Sequence, residues 1–582
     1  MSGIYGFVNT GENYKLNVSS LEPQDCMFSD NDITVAMIGE VFEPKSDFTA
    51  KTIAELYRKY GENCVEHLEG QFNFCVWDKK EERLILVTDR FGTSPLYYYW
   101  EDNKFIFASK IKAILDTKVF KPSIDKNALY SYLSLSFVPT PQTIYNEIKK
   151  LPPGHIVILK NSKLNIRKYW DVFYKDGENK GAHYYAEKIR QALEEAVGKR
   201  FDAKATNYGA FLSGGLDSST VSGLMKKISG GEVKTFSAGF EEPGYSELEY
   251  VNIAAKHFGL KSYQYVVRPQ DLLEAVKILI KEYDEPFGNS SGIAAYYCVK
   301  MAKDNNVDTI LSGDGGDENF GGYTRYVKDK IYSFYHYCPR VLRKALIEPC
   351  VLHAPFKYLP PFRKIGNYIK HANIPNPERF CFYELYPMRE RNEIFSEEFL
   401  SQIDELAPLK VIENYFKTPQ TSAELNRLTY VDTKIGLIDN DLRNKMDKIA
   451  SIFGVKVRHP MLDTKLWELG AEIPASLKVK GLERKYMFKK AFENFLPREI
   501  ILKKKHGFGV PYGLWVRTNP AIRKFTQERL LDDKVARRGY FKKGFFENIL
   551  RMHDEEKSTY YGDMLWVYLM LEIWHNEWVD NK

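Results

Sequence analysis

The pattern that most restricts this 582-residue chain is a strand that empties into a serine–glycine turn. Tyr208-Gly209-Ala210-Phe211-Leu212 reads as a buried strand. Ser213-Gly214-Gly215-Leu216-Asp217-Ser218-Ser219 follows, and then helical spacing through Val221, Leu224 and Met225. A strand that ends in Ser-Gly-Gly and opens a helix gathers free backbone N–H groups at the positive end of the helix dipole. That is an anion site. Glycine lets the backbone approach oxyanions closely, and Ser213 and Ser218 add hydroxyl donors. Asp217 would repel a phosphate directly, so its role is to hold Mg²⁺ that the phosphates share. The plain alternative is a Ser/Gly turn that only caps a helix. No GxxxxGK[ST] segment occurs, which argues against a Walker-type NTPase.

A second turn of the same kind strengthens the reading. Val307 to Leu311 is strand-like and leads into Ser312-Gly313-Asp314-Gly315-Gly316-Asp317-Glu318-Asn319-Phe320-Gly321-Gly322-Tyr323. In a doubly wound sheet, ligands collect at the carboxyl ends of parallel strands, so both turns are expected to face one crevice. Asp217 and Asp317 then bind the metal between them. Asp314 is left near the reacting centre to orient or deprotonate an amine, and Tyr323 offers either a hydroxyl there or aromatic packing. Glu318 is read as a helix cap.

Two halves are legible around these turns. The first carries short β-like runs at Ile33 to Gly39, Gln71 to Trp77, Arg83 to Val87, Pro95 to Trp100 and Gly154 to Leu159. Lys175 to Gly181 is polar and reads as the linker, which places domains at 1–172 and 182–582. Beyond it Ala186, Ile189, Leu193, Ala196 and Val197 recur at helical spacing. Strands and helices then alternate, the signature of a doubly wound α/β parallel sheet. Seven cysteines with no CxxC pair fit reduced thiols in a cytoplasmic setting. A net charge of +6 over this length gives no reason to expect nucleic acid. No apolar run spans a bilayer, so no membrane partner is expected.

The motifs together resemble the asparagine synthetase B family over nearly the full length. Ser213 to Ser218 is similar to that family's pyrophosphate loop, and Leu311 to Tyr323 to its second ATP-site motif. Asp284-Glu285-Pro286 with Ser290-Ser291, Lys445 to Lys448, Val457 to Asp463, Arg484-Lys485-Tyr486 and Lys503 to Gly509 follow in the family's order. The resemblance implies a PP-loop synthetase domain with helical additions, behind a front domain of the Ntn-hydrolase αββα sandwich type. It implies ATP and Mg²⁺, attack of a carboxylate on the α-phosphate, loss of pyrophosphate and aminolysis of the adenylate. By position, Leu212, Ala238, Ser312 and Gly313 contact the nucleotide with Ser213, Gly214, Gly215 and Ser218. Lys505 stabilises charge on the pyrophosphate, while Lys503 and Lys504 are read as solvated. Asp447 is either catalytic or an ion-pair partner of Lys448 at the site floor.

The front half resembles the family's glutaminase domain through Leu68 to Asp78 and Asp89 to Tyr98, yet departs where that chemistry lives. The family uses an N-terminal cysteine whose own amine is the base; position 2 here is Ser. The Arg-Gly-Pro-Asp segment is absent, and Ile38-Gly39-Glu40 stands where the family has Asn-Gly-Glu. The domain is therefore read as degenerate, a scaffold covering the synthetase half. In character the chain is most similar to lasso-peptide macrolactam synthetases, in which the amine belongs to the substrate and proximity speeds the reaction. That implies a peptide substrate, with a leader peptidase and a precursor-recognition protein as partners. The alternative is a small-molecule reaction: an asparagine synthetase taking ammonia from solution or a partner. The basic, aromatic segment from Tyr326 to Pro387 is either a peptide dock or a helical insert with its own core.

Overall fold

The computed structural model describes all residues except 1–2, 10–16, 21–25, 47, 176–178, 203–205, 354–359, 505–508, 557–558 and 581–582. The inner strands of the front half are apolar on both faces, and their alternation shows where each face goes. In the strand Ile33–Glu43, Val35 and Met37 pack toward the helix Thr49–Tyr60, while Ala36 and Ile38 enter the space between two sheets. Ile85 and Val87 against Leu84 and Leu86 repeat the division in Arg83–Thr88. The sheet holding these strands is antiparallel, in the order Lys163–Lys168, His155–Lys160, Arg83–Thr88, Glu69–Asp78, Ile33–Glu43, Met27–Ser29. Its partner sheet runs Asn17–Ser20, Ile4–Asn9, Lys104–Ala108, Tyr97–Glu101, Ile148–Lys150. Tyr97 and Tyr99 turn from that sheet toward the helices Ile111–Leu115 and Lys126–Leu135. The layers are helix, sheet, sheet, helix, the sandwich implied by the motifs.

The second half opens with the helix Ala182–Lys199, whose buried stripe is Ala186, Ile189, Leu193, Ala196 and Val197. Its sheet is wholly parallel, in the order Lys261–Val267, Lys234–Phe240, Tyr208–Phe211, Thr309–Leu311, Lys456–Arg458. The chain builds outward from Tyr208–Phe211 on one side and then returns to its other side. That reversal lies between Tyr208–Phe211 and Thr309–Leu311, the position where a doubly wound sheet opens a crevice at its carboxyl edge. Ala210 pairs with Leu311, so the two serine–glycine turns leave the sheet side by side and almost level.

One apolar core crosses both halves, running from Tyr97, Leu129 and Ile148 to Val276, Leu565 and Trp574. Polar links bind the same seam. The Tyr132 hydroxyl donates to Val567 O at 2.8 Å, and Gly288 N donates to Ser136 O at 2.7 Å. Lys150 Nζ lies 2.5 Å from Glu285 Oε1, with both side chains no more than 2% exposed. Removing one partner of such a pair leaves a buried charge uncompensated. Lys150→Met is expected to destabilise the fold by about 3–5 kcal/mol, and Lys150→Met with Glu285→Met to recover most of that loss. Thermal or urea unfolding of the three chains checks this; an undiminished melting temperature in the single variant would contradict it.

Candidate functional site

Both turns open into one cavity of about 530 Å³, lined by Leu212, Ser213, Gly215, Asp217, Ser218, Ala238, Ser312, Gly313, Asp314, Asp317, Glu318 and Tyr323. The volume lies within the usual range of small-molecule sites. Glycine makes the meeting possible. A Cβ on Gly313 would stand 2.8 Å from Ser218 N, and one on Gly316 would stand 2.4 Å from Asp217 Oδ1. Gly214, at φ +66°, bends the first turn, and a Cβ there would strike Tyr250 and Val251 within 2.7 Å. Inside that turn, Ser213 N donates to Ser218 Oγ at 3.1 Å, and the two serine hydroxyls lie 3.0 Å apart. The helix Leu216–Ser229 begins within the turn, so its first N–H groups and the hydroxyls share one locus.

Asp217 and Asp317 converge on a single cation, the ammonium of Lys485. It donates to Asp217 Oδ2 and lies 2.8 Å from Asp317 Oδ1. Lys485 is 5% exposed at its side chain and adopts φ +52°, an uncommon backbone for a residue with a Cβ. Burial works against its charge, but the two carboxylates outweigh burial and hold its pKa above the ordinary lysine value. A Cβ on Gly322 would fall 1.7 Å from Asp317 Oδ1, so the second glycine pair of the motif is what lets Asp317 turn inward. The sequence reading assigned Lys485 no role; nothing in an Arg-Lys-Tyr string marks which cation is buried.

At the other end of the second turn, Ser312 Oγ donates to Asp314 Oδ2 at 2.7 Å, and His459 Nδ1 lies 3.5 Å from the same oxygen. Burial depresses His459 to about 4, against the pull of Asp314, so its ring is neutral near pH 7. Glu318, expected as a helix cap, does not cap: Gly315 is the N-cap of Gly316–Phe320, and no side chain bonds there. Glu318 is buried, lines the cavity and accepts the Tyr323 hydroxyl, while the Tyr323 ring also packs edge-on against Tyr326. Burial, reinforced by Glu318 and Asp317, lifts the Tyr323 phenol well above its ordinary pKa. Lys445 enters the cavity paired with Asp441; burial opposes its charge, but Asp441 and Asp314 prevail and keep its pKa raised.

Three expectations fare differently. Asp447 does not line the cavity. It lies two residues beyond Lys445 on a helical stretch and so points to roughly the opposite face, where it accepts from Ser94 Oγ of the front half. Its anticipated partner Lys448 pairs with Asp284. Burial pushes Asp447 up to about 6. Lys503, read as solvated, has a side chain only 5% exposed: its Nζ lies 2.8 Å from Glu247 Oε1 and donates to Ser213 O at 3.3 Å. Lys505 lies outside the described residues.

The front half reaches the site through Glu40 and Gln71. Arg458 grips Glu40 with two bonds, Nε to Oε2 and Nη2 to Oε1, both 2.7 Å, and Lys456 Nζ adds a third at 3.0 Å. Gln71 bridges the same strand, donating to Val457 O at 3.0 Å and accepting from His459 N at 2.9 Å. Arg458 O in turn accepts from Ser312 N at 2.9 Å. Ile38 is packed between the sheets.

Comparison with known proteins finds family matches for both halves. The family model for asparagine synthase matches residues 188–576, and that for a glutamine amidotransferase domain matches 31–170. "Asparagine synthetase [glutamine-hydrolyzing] 1" of Bacillus subtilis is 28% identical over 92% of this chain and 82% of its own length. A putative asparagine synthetase of Methanocaldococcus jannaschii is 37% identical over 54% of this chain and 63% of its own. The amidase chry2 of Gibberella zeae is 24% identical over 82% of this chain and 75% of its own. A Bacillus subtilis glutamine phosphoribosylpyrophosphate amidotransferase aligns over 54% of this chain and 75% of its own, with 10% identity and a TM-score of 0.20.

If the turns must touch, a methyl group between them is harmful. Gly316→Ala, facing Asp217, should weaken ATP binding by at least about tenfold. Gly198→Ala, on a helix with open space around it, should leave binding unchanged. Calorimetric titration of both variants checks the contrast.

Proposed function

Because the chain belongs to the asparagine synthase family and is thereby an ATP-dependent carbon–nitrogen ligase, we propose that it adenylates a side-chain carboxylate and joins it to an amine carried by the same acceptor. The lasso-peptide macrolactam cyclases are the pattern for this reaction. The observation that carries the proposal is the convergence of both turns, Asp217 and Asp317 on one cavity.

In this reading the Ser213–Ser218 turn binds the β- and γ-phosphates through backbone N–H and hydroxyl groups. Asp217 and Asp317 are hard oxygen ligands already aimed at one cation, which suits Mg²⁺ bound by two carboxylates and phosphate oxygens. When bound, that ion neutralises charge on the departing pyrophosphate. Lys485 and Lys503 add fixed positive charge beside it. Asp314, held by Ser312 and facing a neutral His459, is placed to orient the amine or accept its proton. The buried Tyr323–Glu318 pair borders the same space.

The front half supplies no ammonia in this account. Glu40 is taken up by Arg458 and Lys456, and Ile38 stands in place of the family's Asn. With the amine already on the acceptor, high effective concentration replaces ammonia delivery. A peptide substrate would bring a leader peptidase and a recognition protein as partners. A second reading is asparagine formation from aspartate and ammonium; the relatives' names support asparagine as product but give glutamine as the nitrogen source.

AMP and pyrophosphate release separates the two. Release that requires a peptide with an internal Asp or Glu supports the cyclase; release with aspartate and ammonium but no peptide removes it. Asp317→Asn should lower turnover at least about a hundredfold. Glutamine should give no glutamate, and a measurable glutaminase rate would contradict the scaffold role of the front half.

A further inference from the structure

The chain's positive charge is concentrated in one insert. Residues 324–372 hold ten Lys and Arg against two Asp and Glu, a net +8, whereas the whole chain is only +6. The insert is helical at Thr324–Phe334, from Arg340 through His353, and at Pro360–Ala372. Its inward side closes on its own small core of Tyr335, Val351, Ile369 and Ala372. The outward side is not polar. Phe334, Tyr337, Val341, Leu342, Leu346 and Ile365 are 53%, 81%, 78%, 46%, 59% and 45% exposed. Phe334 and Tyr337 touch, with ring centroids 5.9 Å apart. The same helices expose cations at Lys328, Arg340, Arg363, Lys364 and Lys370.

Protruding large apolar side chains interleaved with Lys and Arg make an amphipathic surface with a cationic rim. Side chains four-fifths exposed stand out from the surface and form no groove walls, so a bound peptide chain would find little to enclose it. An isologous dimer through this face would set its exposed cations, Arg340, Arg363 and Lys364, against their own copies. A nucleic acid would be matched by the cations but not by Val341, Leu342 and Leu346. An anionic lipid surface matches both features: the apolar tips enter the headgroup boundary while the cations meet the phosphates. No helix among the described residues is long and apolar enough to cross a membrane, so the contact is peripheral. We propose that the exposed side chains of 334–346, with Arg363, Lys364 and Ile365, are a docking face for an anionic membrane surface. This assignment is independent of which acceptor the ligase uses.

Flotation of the full chain with vesicles of phosphatidylcholine alone, or mixed with phosphatidylglycerol, tests it. The chain should float with the mixed vesicles, stay behind with phosphatidylcholine alone, and be released by added salt. Val341→Ser with Leu346→Ser, and separately Arg340→Glu with Lys364→Glu, should each abolish flotation. These side chains face solvent, so melting temperatures should be unchanged and confirm folding. The proposal is overturned if the parent chain stays soluble with mixed vesicles at low salt. It is equally overturned if the Val341/Leu346 variant floats like the parent, which would mean simple polyanion binding. Sedimentation without vesicles that shows a dimer lost in that variant would assign the face to a second copy and overturn it too.

Discussion

A buried ammonium held between two carboxylates organises this site. Lys485 ties Asp217 of the first turn to Asp317 of the second, and the turns come from neighbouring parallel strands. Each partner is short of the others' charge: two acids this close would repel, and a lysine this deep would lose its proton. Together they are stable, and they fix where negative charge and its counter-cations meet. Glycines 313, 316 and 322 are the steric condition, because a methyl group at any of them would stand within 3 Å of the pair or its turn.

The front half is bound into the same construction. Glu40 and Gln71 hold the strand Lys456–Arg458, whose last carbonyl accepts from Ser312 N and whose next residue is His459 beside Asp314. Glu40 and Gln71 both face the synthetase sheet. A shared apolar core from Tyr97 to Trp574 supports the same conclusion from packing.

Local chemistry explains what could be read beforehand. The serine–glycine turns are visible because strand, glycine and helix spacing occupy adjacent residues, and the expected strands at Ile33, Gln71, Arg83 and Tyr208 lie where the sheets run. Lys485 and Lys503 were not legible, since burying one cation of a basic string is decided by distant acids, Asp217, Asp317 and Glu247. Glu318 looks like an ordinary first-turn acid until the chain brings Tyr323 back over it. Asp447 misled because neighbours on a helix face different ways: Lys445 enters the cavity, while Asp447 enters the interdomain seam.

The central claim is that one triphosphate spans both turns, and hydrogen exchange read by mass spectrometry tests it without knowing the acceptor. Adding Mg·ATP, or its α,β-methylene analogue, to the full chain should slow exchange in 212–219 and 312–319 together, at one common ligand concentration. Protection of one turn alone, or of the two at unrelated concentrations, would contradict a shared nucleotide.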